Sequence, residues 1–207
     1  AAAPQLAITY LAERNPTASP VTPHFVAVTI DSRVTTSADD AEQAAADGTV
    51  YTDSSDLEIV DDATYAGLQS AVGLRFRANL SIPQGSAISS AYITFTTDEA
   101  DSDPTYLRIF AENSDDAAEF STTNFAVTDR EWTRASVSWT PLSWDTVGNT
   151  HSTPDLSTLV QVVVDRSGWS EGNSMAFFIN GTGERTAESF DGGGLAAAPR
   201  LTITYLE

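Results

Sequence analysis

Ile82-Pro83-Gln84-Gly85-Ser86-Ala87-Ile88-Ser89-Ser90-Ala91-Tyr92-Ile93-Thr94-Phe95-Thr96-Thr97 reads as a tight turn that feeds a strand. Proline and glycine punctuate the turn, and the apolar-polar alternation that follows has the two-residue period of a strand with one buried face. Working outward, Phe25 to Val34, Asp56 to Val60, Val72 to Arg77, Thr105 to Glu112, Ala135 to Trp139, Ser174 to Asn180, Glu184 to Phe190 and Arg200 to Tyr205 read the same way. So many short strands at this spacing predict an all-β fold, a β-sandwich jelly roll over residues 25–205. One segment departs from the rhythm. Thr153 can cap a helix with Pro154 at its first position, and Leu156, Leu159, Val160, Val163 and Val164 follow at helical spacing, with Gly168 past the end. This predicts one short helix over about 154–166 that plugs an end of the sandwich.

The 207 residues carry 29 acidic side chains against 10 basic ones, a net charge of -19, and all ten cations are arginine. A surface with no basic stripe cannot neutralise phosphates, so nucleic acid is excluded as a partner, and anionic membranes repel the chain for the same reason. The apolar runs are too short for membrane insertion as a helix. Without cysteine there is no disulfide, thiolate metal site or cysteine nucleophile. These bounds favour a secreted, extracellular or cell-surface module.

Ala1-Ala2-Ala3-Pro4-Gln5-Leu6-Ala7-Ile8-Thr9-Tyr10 returns as Ala196-Ala197-Ala198-Pro199-Arg200-Leu201-Thr202-Ile203-Thr204-Tyr205, identical at eight of ten positions. Residues 1–10 therefore read as the closing strand of a preceding repeat, and Leu11 to His24, with Pro16, Pro20 and Pro23, as an extended linker. Leu206-Glu207 reads as a vector scar. The duplicated strand also suggests neighbouring modules as partners, including strand exchange through residues 1–10.

Asp39, Asp40 and Glu42 form one acidic cluster, and Asp53, Asp56 and Glu58 a second. Spaced two apart on a strand, Asp56 and Glu58 share a face while Leu57 enters the core. Like charges there repel, and a hard cation with six to eight oxygen ligands resolves the conflict. Glu188 and Asp191 add oxygens near the C-terminal strand. An oxygen-only donor set without cysteine or paired histidine suits Ca2+ and not zinc. The plain alternative is a solvated acidic surface. The same acids also permit a glycosidase pair, which makes a polysaccharide hydrolase or lyase a further alternative. Other chemistry has no motif: His24 and His151 lie apart from any triad, no Gly-x-Ser-x-Gly is present, and Gly192-Gly193-Gly194 reads as a flexible turn.

Sugars bind flat aromatic faces rimmed by polar groups. Trp139 shares strand parity with Val137 and belongs to the core, whereas Trp132, in a polar stretch, and Tyr65, in a long polar loop, are the candidate carbohydrate contacts. Arg75 and Arg77 alternate on one strand face and are expected to pair with acids. Arg185, three residues before Glu188, is expected to support the ion site.

Ser54-Ser55-Asp56-Leu57-Glu58, Val72-Gly73-Leu74-Arg75-Phe76, Ile82-Pro83-Gln84-Gly85-Ser86-Ala87-Ile88-Ser89-Ser90-Ala91 and the closing Glu188-Ser189-Phe190 with Ala198-Pro199-Arg200-Leu201 resemble the DNRLRE-type jelly rolls. Those carbohydrate-binding-module-like domains belong to secreted bacterial polysaccharide-active enzymes and surface proteins. The resemblance spans roughly Thr35 to Tyr205 and implies a β-sandwich, bound calcium and a noncatalytic role on polysaccharide. The chain lacks the family's literal name motif and adds the helix after Thr153. The competing expectation is a structural tandem repeat of a large calcium-dependent adhesin or surface fibre.

Overall fold

The computed structural model describes residues 25–62 and 67–207. Residues 1–24, which hold the first copy of the duplicated strand, and Tyr65 lie outside the described residues.

The chain forms a β-sandwich with short helices, as the strand spacing predicts. Its strands are β1 (Ala27–Arg33), β2 (Asp40–Ala44), β3 (Val50–Tyr51), β4 (Asp56–Glu58), β5 (Asp61–Asp62), β6 (Gly67–Phe76), β7 (Ala87–Thr96), β8 (Tyr106–Ala111), β9 (Val137–Trp139), β10 (Thr150–Ser152), β11 (Met175–Thr182), β12 (Thr186–Glu188) and β13 (Arg200–Leu206). One sheet has the order β1-β13-β7-β10, and the other runs β3-β2-β6-β11-β8-β9 with β5 on β6. All of these pairings are antiparallel. The quoted Ile82–Thr97 stretch supplies β7, which pairs β13 on one side and β10 on the other. Leu206 lies within β13, and Glu207 exchanges main-chain hydrogen bonds with Val26, so both residues extend the sheet.

The inner faces meet in one core. Ala91, Ile93, Phe95, Leu201, Ile203 and Tyr205 from the first sheet pack with Val72, Leu74, Phe76, Ile109, Phe177 and Ile179 from the second, all nearly or wholly buried. Each such large apolar side chain contributes about 1.5–3 kcal/mol when removed from water. A smaller cluster covers the outer face of the second sheet, where Ala41, Ala71, Ala176 and Phe178 meet Phe120 and Val127. Gly73 is required there, because a Cβ would lie 2.5 Å from the Phe120 ring.

The first helix, α1 (Ser157–Val164), is shorter than the spacing predicts. Its buried residues Leu159, Val160, Val163 and Val164 are the expected ones, with Leu156 buried just ahead of it. Thr153 does not cap it. The Thr153 hydroxyl accepts from Ile93 N–H at 3.1 Å, and Asp155 accepts from Ser157 N–H instead, so Thr153 and Pro154 belong to the approach along β7. A second helix, α2 (Phe190–Ala197), occupies the stretch read as a glycine turn and the end of a strand. Ser189 caps it by accepting Gly192 N–H at 3.1 Å, and Gly194, at φ 59°, breaks its helical geometry. A Cβ on Gly192 would collide with the Ser55 carbonyl oxygen, so glycine lets α2 close onto the segment before β4.

Candidate metal centre

β2 does not look like a strand in sequence, yet its alternation is strict. Ala41 and Gln43 face the outer cluster, where the Gln43 side-chain carbonyl accepts Val127 and Thr128 N–H at 3.0 Å each. Asp40 and Glu42 face the other way, opposite Leu74 and Val72, which are core residues. Two carboxylates are thereby held on an apolar inner face, Asp40 at 3% and Glu42 at 2% exposure. Burial pushes the Asp40 carboxyl up to about 7, with Asp191 and Asp39 adding to the shift against a main-chain hydrogen bond from Phe190. Glu42 moves far above the usual carboxylate range, because burial and the neighbouring Glu58 carboxyl both disfavour its charge.

The surrounding chain is folded around these two groups. Glu58 N–H donates to the Glu42 carboxylate at 2.6 Å, fastening β4 to β2. Phe190 N–H donates to Asp40 at 2.8 Å, and the Ser189 hydroxyl donates to the Ser54 carbonyl at 2.6 Å, fastening the start of α2 to both. The shallow recess between them is lined by Asp40, Glu42, Thr52, Ser54 and Ser189. Among the described residues, no arginine lies within 4.0 Å of either carboxylate.

Asp39 has a different environment. Arg75 meets its carboxylate at 2.6 Å and Arg77 at 3.1 Å, and the Thr35 and Thr36 hydroxyls donate to it at 2.9 and 3.1 Å. Its charge is offset within the protein, as the alternation of Arg75 and Arg77 predicts. Asp191 is exposed and accepts from the Ser37 hydroxyl at 2.9 Å.

Asp56 and Glu58 share a face of the β4–β12 ribbon, where Thr186 lies opposite Glu58 and Glu188 opposite Asp56. Leu57 and Ala187, both buried, take the other face. Burial raises the Asp56 carboxyl to about 6, helped by Glu58, Asp98 and Glu99. Asp98 and Glu99, which follow β7, escape a reading of the sequence because they form no cluster in it. In space, one carboxylate oxygen from each of Asp56, Asp98 and Glu99 lies within 4.8 Å of the others. The Glu188 carboxyl, raised by burial, touches Asp98. Arg185 does not serve the acids: its guanidinium donates to the Leu142 and Asp103 carbonyls and the Thr105 hydroxyl, binding two loops together.

Trp132 is half-buried, not an open platform. Its ring stacks on Phe178 at 4.8 Å and tilts against Phe110 at 5.1 Å, and its indole N–H donates to the Val127 carbonyl at 3.2 Å. Trp139 is in the core as its parity predicts. An open aromatic surface lies on β8, where Tyr106 is 61% exposed across from Thr182, with Arg108 two residues along and across from Ser138. No helix among the described residues is long and apolar enough to cross a membrane. Compared with known families and curated proteins, the chain matches no family model and no curated sequence.

Proposed function

We propose that the chain is a noncatalytic extracellular β-sandwich module stabilised by a calcium ion and engaging polysaccharide. One observation carries the calcium: Asp40 and Glu42 are buried on an apolar face, with Glu58 beside Glu42 and no arginine to offset either. Left ionised without a partner, such groups cost several kcal/mol each. A divalent ion beside Glu42 and Glu58, with Asp40 on the same face, supplies the missing charge and takes only oxygen ligands. Asp39, already paired with two arginines, is not among these ligands.

A noncatalytic role is supported by the recess itself. It leaves no room for a substrate-sized ligand, and its carboxylates hold main-chain N–H groups. For polysaccharide the better surface is Tyr106 with Arg108, Ser138 and Thr182, a flat exposed ring beside polar donors, in line with the family resemblance. Affinity electrophoresis in gels cast with neutral and acidic polysaccharides tests it. Retardation that Tyr106→Ala removes is the expected result, and no retardation in any gel contradicts it.

A second reading, a calcium-stiffened tandem repeat of an adhesin or fibre, is favoured by the near-identity of residues 1–10 with the segment that forms β13. In the sandwich β13 lies between β1 and β7, so a copy of it is suited to the same slot in a neighbouring module. Light scattering of the chain with and without residues 1–24 tests strand exchange, since equal masses per chain exclude it.

A further inference from the structure

We propose that the face formed by Asp56, Asp98, Glu99 and Glu188 is a second divalent-cation site, neighbouring the Asp40–Glu42 seat but built by other residues. The register sets its geometry. Thr97 bridges Ala187 in antiparallel fashion and Asp98 N–H donates to the Thr186 carbonyl at 3.0 Å, so the end of β7 adds a third strand to the β4–β12 ribbon. Glu58, Thr186 and Asp98 therefore form one cross-strand row, and Asp56 and Glu188 form the next on the same face. Glu99 closes the group, within 4.8 Å of Asp56 and Asp98 by a carboxylate oxygen.

Acids gather on many surfaces without an ion, and this face has a further feature. Thr186 stands between Glu58 and Asp98 in the first row, the residue is only 2% exposed, and its hydroxyl oxygen has no hydrogen-bond partner among the described residues. Hydroxyls are adaptable and almost always find a partner when buried. One that stays unpartnered between Glu58 and Asp98 points to a ligand that the protein atoms do not supply, and a hard cation accepts a neutral hydroxyl together with carboxylates. Arg185, the residue before Thr186 in the chain, is committed to the Leu142 and Asp103 carbonyls. The chemistry is that of calcium, with flexible coordination by oxygens from three strands.

The test is isothermal titration of the chelator-stripped full chain with calcium chloride alone. The expected result is two ions per chain, falling to one in the Asp98→Asn, Glu99→Gln double variant and to one in Glu42→Gln. Thr186→Val, which keeps the side-chain shape, is expected to weaken the site lost in the double variant roughly tenfold, a cost typical of disturbed metal shells. Far-UV circular dichroism checks the fold, and Glu99→Gln alone, at an exposed position, replaces the double variant if that does not fold. A single ion that Glu42→Gln abolishes and the double variant leaves untouched overturns this proposal while sparing the Glu42 seat. A single ion with the reverse pattern upholds it and removes the other. Undiminished binding in Thr186→Val counts against it, and no binding at all removes both.

Discussion

Glu58 N–H donates to the Glu42 carboxylate at 2.6 Å, and this bond ties the short β4 strand to a strand of the larger sheet. It makes Glu42 both a structural acceptor and a group whose charge has no arginine to meet it. Replacing it separates the two roles. Glu42→Gln keeps an oxygen that accepts from Glu58 and replaces a carboxyl whose charged form burial disfavours, so the chelated variant is expected to melt within a few degrees of the chelated parent, or above it. The same change is expected to reduce stabilisation by calcium to what the Asp56–Asp98–Glu99 site alone supplies, read by differential scanning calorimetry in both conditions.

Acid and calcium should act in opposition. Asp40, raised to about 7, and Asp56, raised to about 6, hold protons in the folded state that the unfolded chain has released by about pH 4. In chelator the folded state therefore binds more protons, and stability falls as pH rises from about 4 to 7, chiefly through the buried Asp40 and less through the partly exposed, solvent-screened Asp56. The penalty is absent below the unfolded value and complete above the folded one. With calcium present the slope reverses in this window, because the ion binds the deprotonated acids. Urea melts at pH 5 and pH 8, with and without calcium, measure both slopes.

The Asp39–Arg75 pair is buried at both ends. Asp39→Asn leaves Arg75 charged without its partner and is expected to destabilise by about 3 kcal/mol, as broken buried pairs do. Calcium should still stabilise this variant by the parent's increment. Loss of that increment would make Asp39 part of the ion site.

Trp132→Ala is expected to destabilise by about 3 kcal/mol, because the ring fills the space between Phe178 and Phe110. Tyr106→Ala, at an exposed position, should change stability by less than about 0.5 kcal/mol. Chemical denaturation separates the two, and equal losses would mean that Tyr106 is not the free surface described.

What the sequence discloses follows from how local its signals are. β7 and β13 alternate apolar and polar residues, and α1 repeats its apolar residues at helical spacing, so their presence is readable from the chain alone. β2 is not, because its inward residues are Asp40 and Glu42, and only the pairing with β6 reveals that they face the core. α2 is hidden by its glycines, which favour a turn until Ser189 caps it and Gly192 is pressed against Ser55. The acids separate likewise in three dimensions: Asp39 goes to two arginines, while Asp98 and Glu99 join Asp56 from a distant stretch of sequence.

The most direct measurement is the melting temperature at pH 7.5 of the parent chain in chelator and in calcium at about one hundred times its dissociation constant. Binding only to the folded state at that ratio adds about 2.7 kcal/mol, a rise of roughly 5–10 °C for a chain of this size. A rise of at least that order, reduced in Glu42→Gln to what the Asp56–Asp98–Glu99 site alone supplies, is the predicted result. Identical melting temperatures in chelator and in millimolar calcium would contradict the account.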